Sequence, residues 1–252
     1  MKEKLQNITN KMWAGSAILL ILGVWQFVTA VGVIDQFMLP SPMQVIGAFI
    51  KEFPILMEHS VITLTEAFIG LAVGIMLGFV MAVCMDRFSV LYKAFYPLIV
   101  LTQTIPTVAI APLMVLWFGY EMTPKIILIV ITTFFPITVG LLSGFQSADQ
   151  DAIYLLQAMG GTKLDIFRYI KLPGALPQFF SGLRISASYA VVGAVISEWL
   201  GGFGGLGVYM TRVKQAFSFD KMFAVIFLIS IISLLLMKGV DIIQKKCMPW
   251  HS

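Results

Sequence analysis

Two histidines, His59 and His251, and two cysteines, Cys84 and Cys247, are all the imidazole and thiol groups that this chain offers. Cys84 lies inside an apolar run and Cys247 in a basic tail, so neither a disulfide nor a metal-ligand spacing is expected. Histidines at the margins of the chain leave no nucleophile, base and orienting group to assemble, which argues against an enzyme. Gly-Lys occurs nowhere, so there is no Walker A phosphate loop and no ATPase activity is expected. What remains is polar chemistry inside apolar sequence. Glu66 and Glu198 sit in or beside long apolar runs, where an ionisable group is costly and functional by default. Glu198 has two readings: a residue satisfied by the glycine-rich backbone that follows it, or a gating or substrate contact. Glu66 reads as structural, paired with Arg184 or another helix. Gln103, Thr104 and Thr107 flank Pro106, where freed carbonyls and side-chain amides either line a passage or bind helices together.

The elements that hold these residues are set by composition. Hydrophobic residues make up 59% of the chain and charged residues 12%, against roughly 25% charged in a soluble domain. The mean hydropathy is +0.92. Charge-free runs of membrane-spanning length recur, so the expectation is an all-α integral membrane protein with about six transmembrane helices. The expected spans are 13–34, 61–85, 94–118, 126–145, 182–200 and 222–243. The first is too long, and lacks a small-residue cleavage site, for a signal peptide. The third contains Pro97, Pro106 and Pro112 and must bend or break. Residues 42–53 alternate at helical spacing and read as a short helix lying on the outer surface. Gly201, Gly202, Gly204, Gly205 and Gly207 follow no strand and read as a tight turn rather than a nucleotide loop.

The net charge of +4 reflects basic residues flanking apolar runs, which excludes nucleic acid as the natural partner and leaves membrane lipid. With loops assigned alternately to the two sides, twelve of the 17 basic residues fall on the side of both termini and of residues 146–181, and the positive-inside rule makes that side cytoplasmic.

Residues 146–177 read QSADQDAIYLLQAMGGTKLDIFRYIKLPGALP and contrast in polarity with everything around them. Ser147 is expected to cap a helix that starts near Ala148 and ends at Gly160 and Gly161, with Asp149 and Asp151 in its first turn. A second short helix over 163–170 is expected to stop at Pro173. Tyr154, Leu155 and Ala158 share one face of the first helix, an apolar face that needs a partner to cover it.

Here the residues resemble a known family. Gly160, nine residues, Ile170, one residue, Leu172 and Pro173 are similar to the cytoplasmic EAA loop of binding-protein-dependent ABC importer permeases. Leu39, Pro40, Ser41, Pro42 and Val45 resemble the stretch after the first span in the taurine, nitrate and sulfonate branch. Pro106 to Pro112 with Trp117, Phe118 and Gly119 resembles that branch's third span, and Glu198 with Gly205, Leu206 and Gly207 its Glu and GLG elements. Tyr154, Leu155 and Leu156 stand where the family has Glu-Ala-Ala, and Asp151 or Gln157 is the substitute for the missing acid.

The resemblance implies a single ABC transporter transmembrane domain over 1–252, with its core at about 60–245 and a coupling loop at about 146–173 between spans four and five. The coupling residues would be Asp151, Tyr154, Leu155, Leu156, Gln157, Ala158, Gly160, Ile170, Leu172 and Pro173, and the passage or gate residues Gln103, Thr104, Thr107 and Glu198. It implies a multi-pass protein of the bacterial cell membrane that pairs with a second permease copy, two ATPase subunits and an extracytoplasmic solute-binding protein. ATP and magnesium would be bound by the ATPase and no cofactor by this chain. The wording QTIPTVAIAPL with WFGY is similar to permeases for thiamine-precursor pyrimidines and riboflavin-like compounds, then to those for sulfonates, taurine or nitrate. The alternative from the acids alone is an ion-coupled secondary transporter using Glu66 or Glu198.

Overall fold

The structure, a computed structural model, describes residues 2–249, and side chains from residue 13 onward except residue 14; His251 lies outside the described residues. Helix accounts for 86% of the chain, with no strand among the described residues. In chain order the helices are α1 (Lys2–Val31), α2 (Pro42–Arg87), α3 (Ser89–Thr102), α4 (Thr107–Phe118), α5 (Met122–Gln146), α6 (Gln150–Ala158), α7 (Lys163–Ile166), α8 (Leu172–Gly201), α9 (Leu206–Gln215) and α10 (Phe219–Cys247), with a π-helical turn at Phe167–Lys171.

Among the described residues, four helices are long and apolar enough to cross a membrane: α2, α5, the continuous Lys163–Gly201 stretch and α10. The pair α3 and α4, bent by 99°, makes a fifth if counted as one broken span. That bend is the break expected in span three, and it falls where Pro106 removes an amide donor. The expected first span, 13–34, runs three residues past the end of α1, whose described apolar part is Gly15–Val31.

Two expectations are corrected. Residues 42–53 do not form a separate surface helix but are the start of the 46-residue α2, which runs through Pro54. Proline deletes one intrahelical hydrogen bond, and the rest of the ladder continues. Nor does Pro173 stop a helix. It occupies the first turn of α8, directly after the π-helical turn, so Lys163–Gly201 is unbroken. A π turn shifts the hydrogen-bond register by one residue, and proline's missing donor is tolerated beside such a shift.

The chain divides into two compact units. One comprises the residues up to Met57 together with Met210–Leu228. Its core is Val45, Ala48 and Ala224 with Trp25, Phe49 and Phe223 packed against them. Trp25 donates its indole hydrogen to the Pro40 carbonyl at 3.1 Å, and Lys221 pairs with the buried Glu52 at 2.6 Å.

The other unit comprises Glu58–Tyr209 together with the residues from Ile229 on, and α5 runs through its core. Leu128, Ile129, Ile137 and Leu141 of α5 are fully enclosed. Small residues let the neighbours approach: a Cβ at Gly70, Gly74 or Gly78 of α2 would strike Ile129, Thr133 or Ile137, and one at Gly182 of α8 would strike the Pro136 carbonyl. Where lipid removes the hydrophobic drive between helices, such close packing is what holds them together. Ser186 of α8 donates to the Thr133 carbonyl of α5 at 2.7 Å. Arg184 is paired with Asp241 of α10 at 2.6 Å and also donates to Gln244.

Candidate functional site

Three places within the larger unit gather the residues singled out above. The first lies at the junction of α8 and α9. Glu198 is buried, and both of its carboxylate oxygens are occupied: Oε1 accepts from the Thr63 hydroxyl at 2.7 Å and Oε2 from the Gly207 amide at 2.6 Å. The Leu206 amide donates to Thr63 Oγ1 at 2.8 Å, and the Gly205 amide to His59 Nδ1 at 3.0 Å. Gly205 has a φ of +112°, and a Cβ there would fall on the Glu198 carboxylate. Glycine is therefore required twice over, for the backbone conformation and for the space. The tight turn expected from the glycines is present, and α9, which hydropathy alone does not reveal, begins directly from it.

Glu66 lies nearby in the same helix as Thr63. It pairs with Lys125 at 2.5 Å, with both side chains almost wholly buried. Of the two partners expected, Arg184 or another helix, the second is the one present: Lys125, expected in an outer loop, lies inside the first turn of α5, while Arg184 binds Asp241. An acid and a base taken together out of water need each other, because either alone would be an uncompensated buried charge.

The second place is the break between α3 and α4. Gln103 and Thr107 line a cavity of about 180 Å³ together with Thr132 of α5 and Tyr189, Val192 and Ile196 of α8. Thr104 sits in the same break without lining the cavity, its hydroxyl donating to the Leu101 carbonyl at 2.8 Å. Glu198 does not line it either, so the expected passage residues fall into two groups. Tyr189 and Thr132 were missed from sequence because each looks like an ordinary residue of an apolar helix.

The third place is the hairpin of α6 and α7. Asp149 caps α6 by accepting from the Asp151 amide at 2.9 Å, correcting the expected role of Ser147, whose hydroxyl instead closes the end of α5 on the Gly144 carbonyl. Gly160 ends α6 with a φ of +86°, the left-handed conformation expected there, and no atom outside its immediate neighbours stands within 4 Å of where its Cβ would be. Thr162 and Asp165 form a reciprocal capping box that starts α7. Ile153 and Ile166 anchor the hairpin, while Tyr154 and Leu155 are 64% exposed, Met159 75% and Leu164 71%. Asp151, Gln157 and Ala158 are also exposed and Leu156 half-buried. Ile170 falls in the π-helical turn, and Leu172 and Pro173 open α8. Lys171 binds Asp86 at the end of α2 at 2.7 Å and 2.9 Å, tying the hairpin to the bundle.

An exposed apolar hairpin on an apolar helical bundle is an incomplete surface, and the comparisons say what kind of protein carries it. The family model described as "Binding-protein-dependent transport system inner membrane component" matches residues 74–248. The chain belongs to that family. It is a permease component of an ABC importer, a multi-pass membrane subunit that is not itself catalytic. Among curated relatives of this permease, the formylaminopyrimidine transport permease protein ThiX of Halalkalibacterium halodurans is 36% identical over 234 residues, covering 92% of this chain and 93% of that one. The taurine transport system permease protein TauC of Escherichia coli is 30% identical over 238 residues, covering 92% and 86%. A solved structure of the MetNI methionine ABC transporter in an inward-facing conformation matches with a TM-score of 0.64 at 21% identity, covering 76% of this chain and 95% of that one. The last likeness establishes the fold. Membership of the family also sets aside the ion-coupled secondary transporter.

Proposed function

We propose that this permease takes a small solute from an extracytoplasmic solute-binding protein and passes it into the cytoplasm by alternating access between two copies of itself. Two ATPase subunits, which bind the ATP and magnesium, drive the cycle by docking on the α6–α7 hairpin. The observation that carries this reading is the hairpin's exposed face of Tyr154, Leu155, Met159 and Leu164, on a helix closed by a left-handed glycine. An apolar patch that lies outside the spans and is left uncovered by the chain marks a protein contact. Asp151 and Gln157, both exposed on α6, supply the polar contacts in place of the family's glutamate. Ile170, Leu172 and Pro173 carry movement of the hairpin into α8.

In this reading the whole chain is one transmembrane domain with α1 as its sixth span, and both termini and the hairpin are cytoplasmic. Gln103, Thr104 and Thr107 belong to the passage, and Glu198 holds its gate. The solute is a thiamine-precursor pyrimidine or a riboflavin-like compound ahead of a sulfonate, taurine or nitrate, in keeping with 36% identity to a formylaminopyrimidine permease against 30% to a taurine permease.

The test is reconstitution. The permease, co-purified with the ATPase encoded beside it and placed in liposomes, should hydrolyse ATP faster when the solute-loaded binding protein is added, and should accumulate labelled formylaminopyrimidine. ATPase that fails to co-purify, or hydrolysis indifferent to the loaded binding protein, would overturn the assignment.

A further inference from the structure

We infer that the cavity at the α3–α4 break is a solute-binding subsite of the permease itself, selective for an uncharged, single-ring heterocycle over an organic anion. The inference rests on the function proposed above and adds a selectivity step to it that does not depend on the binding protein.

Size comes first. A volume of about 180 Å³ is a little above that of a roughly 150 Å³ protein cavity able to take up benzene, so one substituted ring has room here. Charge comes second. No Lys, Arg, His, Asp or Glu lines the cavity. A sulfonate entering it would give up its hydration without meeting an opposite charge, a cost that an uncharged ring does not carry.

Hydrogen bonding comes third. The hydroxyls of Thr102 and Thr132 are committed to the carbonyls of Ile99 and Ile129, at 2.6 Å and 2.8 Å. The side chains of Gln103, Thr107 and Tyr189 make no hydrogen bond to another described residue, so an amide, a hydroxyl and a phenol remain for a ligand. α4 starts beside them at Thr107 after Pro106, with no side chain capping its first amides. Those amides favour a carbonyl oxygen or a ring nitrogen. Val192 and Ile196 provide apolar walls and Tyr189 an aromatic ring. A ring that carries adjacent donor and acceptor atoms matches this set, and an aliphatic sulfonate does not.

The experiment measures equilibrium binding of tritiated formylaminopyrimidine to the permease–ATPase complex in nanodiscs, without binding protein. Saturable binding is expected, displaced by excess unlabelled formylaminopyrimidine and untouched by butanesulfonate. Gln103→Leu and Tyr189→Leu should each weaken it by about tenfold or more, since each removes a polar partner the ligand would otherwise meet. Leu116→Ala, at an exposed position outside the cavity, should not. Absent saturable binding, equal displacement by butanesulfonate, or wild-type affinity in both cavity variants would each overturn the subsite. Stimulation of ATP hydrolysis by loaded binding protein, read on the same preparation, reports separately on the transport function: stimulation without binding leaves that function standing and removes the subsite alone.

Discussion

The α8–α9 junction and the α6–α7 hairpin stand at opposite ends of the Lys163–Gly201 helical stretch and solve opposite problems. At the junction the polar groups that hold Glu198 are paired within the chain: Thr63 and Gly207 on the carboxylate, Leu206 on Thr63, Gly205 on His59. At the hairpin only the anchors Ile153 and Ile166 are buried, and the large side chains around them face outward. A region closed on itself serves shape, and a region left open serves a partner. Mutations should therefore damage the first through folding and the second through assembly.

The largest effect is expected next to the junction. Lys125→Ala strands Glu66 as an unpaired buried acid, which by analogy with other broken buried pairs costs about 3–5 kcal/mol. Membrane yield and detergent-melting temperature should both fall sharply. The double replacement Glu66→Gln with Lys125→Met should recover most of the loss, and equal damage from single and double variants would break the comparison on this side.

Glu198→Leu comes next. It removes the carboxylate that accepts from the Gly207 amide and the Thr63 hydroxyl, and although Thr63 keeps the His59 carbonyl at 3.2 Å as a second acceptor, a loss of about 1–3 kcal/mol is expected. Glu198→Gln keeps an acceptor and should retain much of the transport. Equal loss in the two, measured as solute uptake, would mean that charge and not hydrogen bonding is what the site uses.

Gly160 sharpens the contrast because the chain itself leaves room for a side chain there. Gly160→Ala and Gly160→Arg should pay the same backbone strain, about 1–2 kcal/mol, and insert in the membrane at similar levels. Only the arginine variant should lose the ATPase on co-purification, because only it meets a docked partner. Leu155→Asp should leave melting unchanged and weaken the same association. Normal transport in both Gly160→Arg and Leu155→Asp would remove the hairpin as the coupling element.

The smallest effect is expected from orientation probes in a chain lacking Cys84 and Cys247. Cysteine at the exposed Ser147 should react with an impermeant maleimide only from the cytoplasm, and at the exposed Glu58 only from outside, with transport unaffected. Labelling of both from one side would contradict the proposed topology.

What could be read in advance follows from what hydropathy encodes. Apolar runs placed α2, α5, α8 and α10, and three prolines located the break between α3 and α4. Gly160 marked the end of α6, because a left-handed turn needs a residue without a side chain. The partners were not legible. Glu66 meets Lys125 across 59 positions of sequence and Glu198 meets Thr63 across 135. Such pairings depend on how each helix is rotated, and composition carries no record of that. The Gly70, Gly74 and Gly78 stripe was the missed clue to rotation, since it marks the face of α2 that meets α5. α9 was missed for a different reason: its Arg212, Lys214 and Gln215 read as loop, while its helical start depends on the Glu198 network.

The π-helical turn at Phe167–Lys171 makes the permease a machine with a phase. Between Lys163 and Gly201 there are 39 residues and no loop, roughly 58 Å of rod at 1.5 Å per residue. The side chain exposed at the hairpin, the ring in the cavity and the acid at the junction, Leu164, Tyr189 and Glu198, are thus fixed to one shaft. Adding or deleting a single residue within the turn rotates everything beyond it by about 100°, carrying Tyr189 off the cavity and Glu198 away from Thr63 in one stroke. Substitution within Phe167–Lys171 should be far better tolerated than a change in its length, because what the turn sets is an angle.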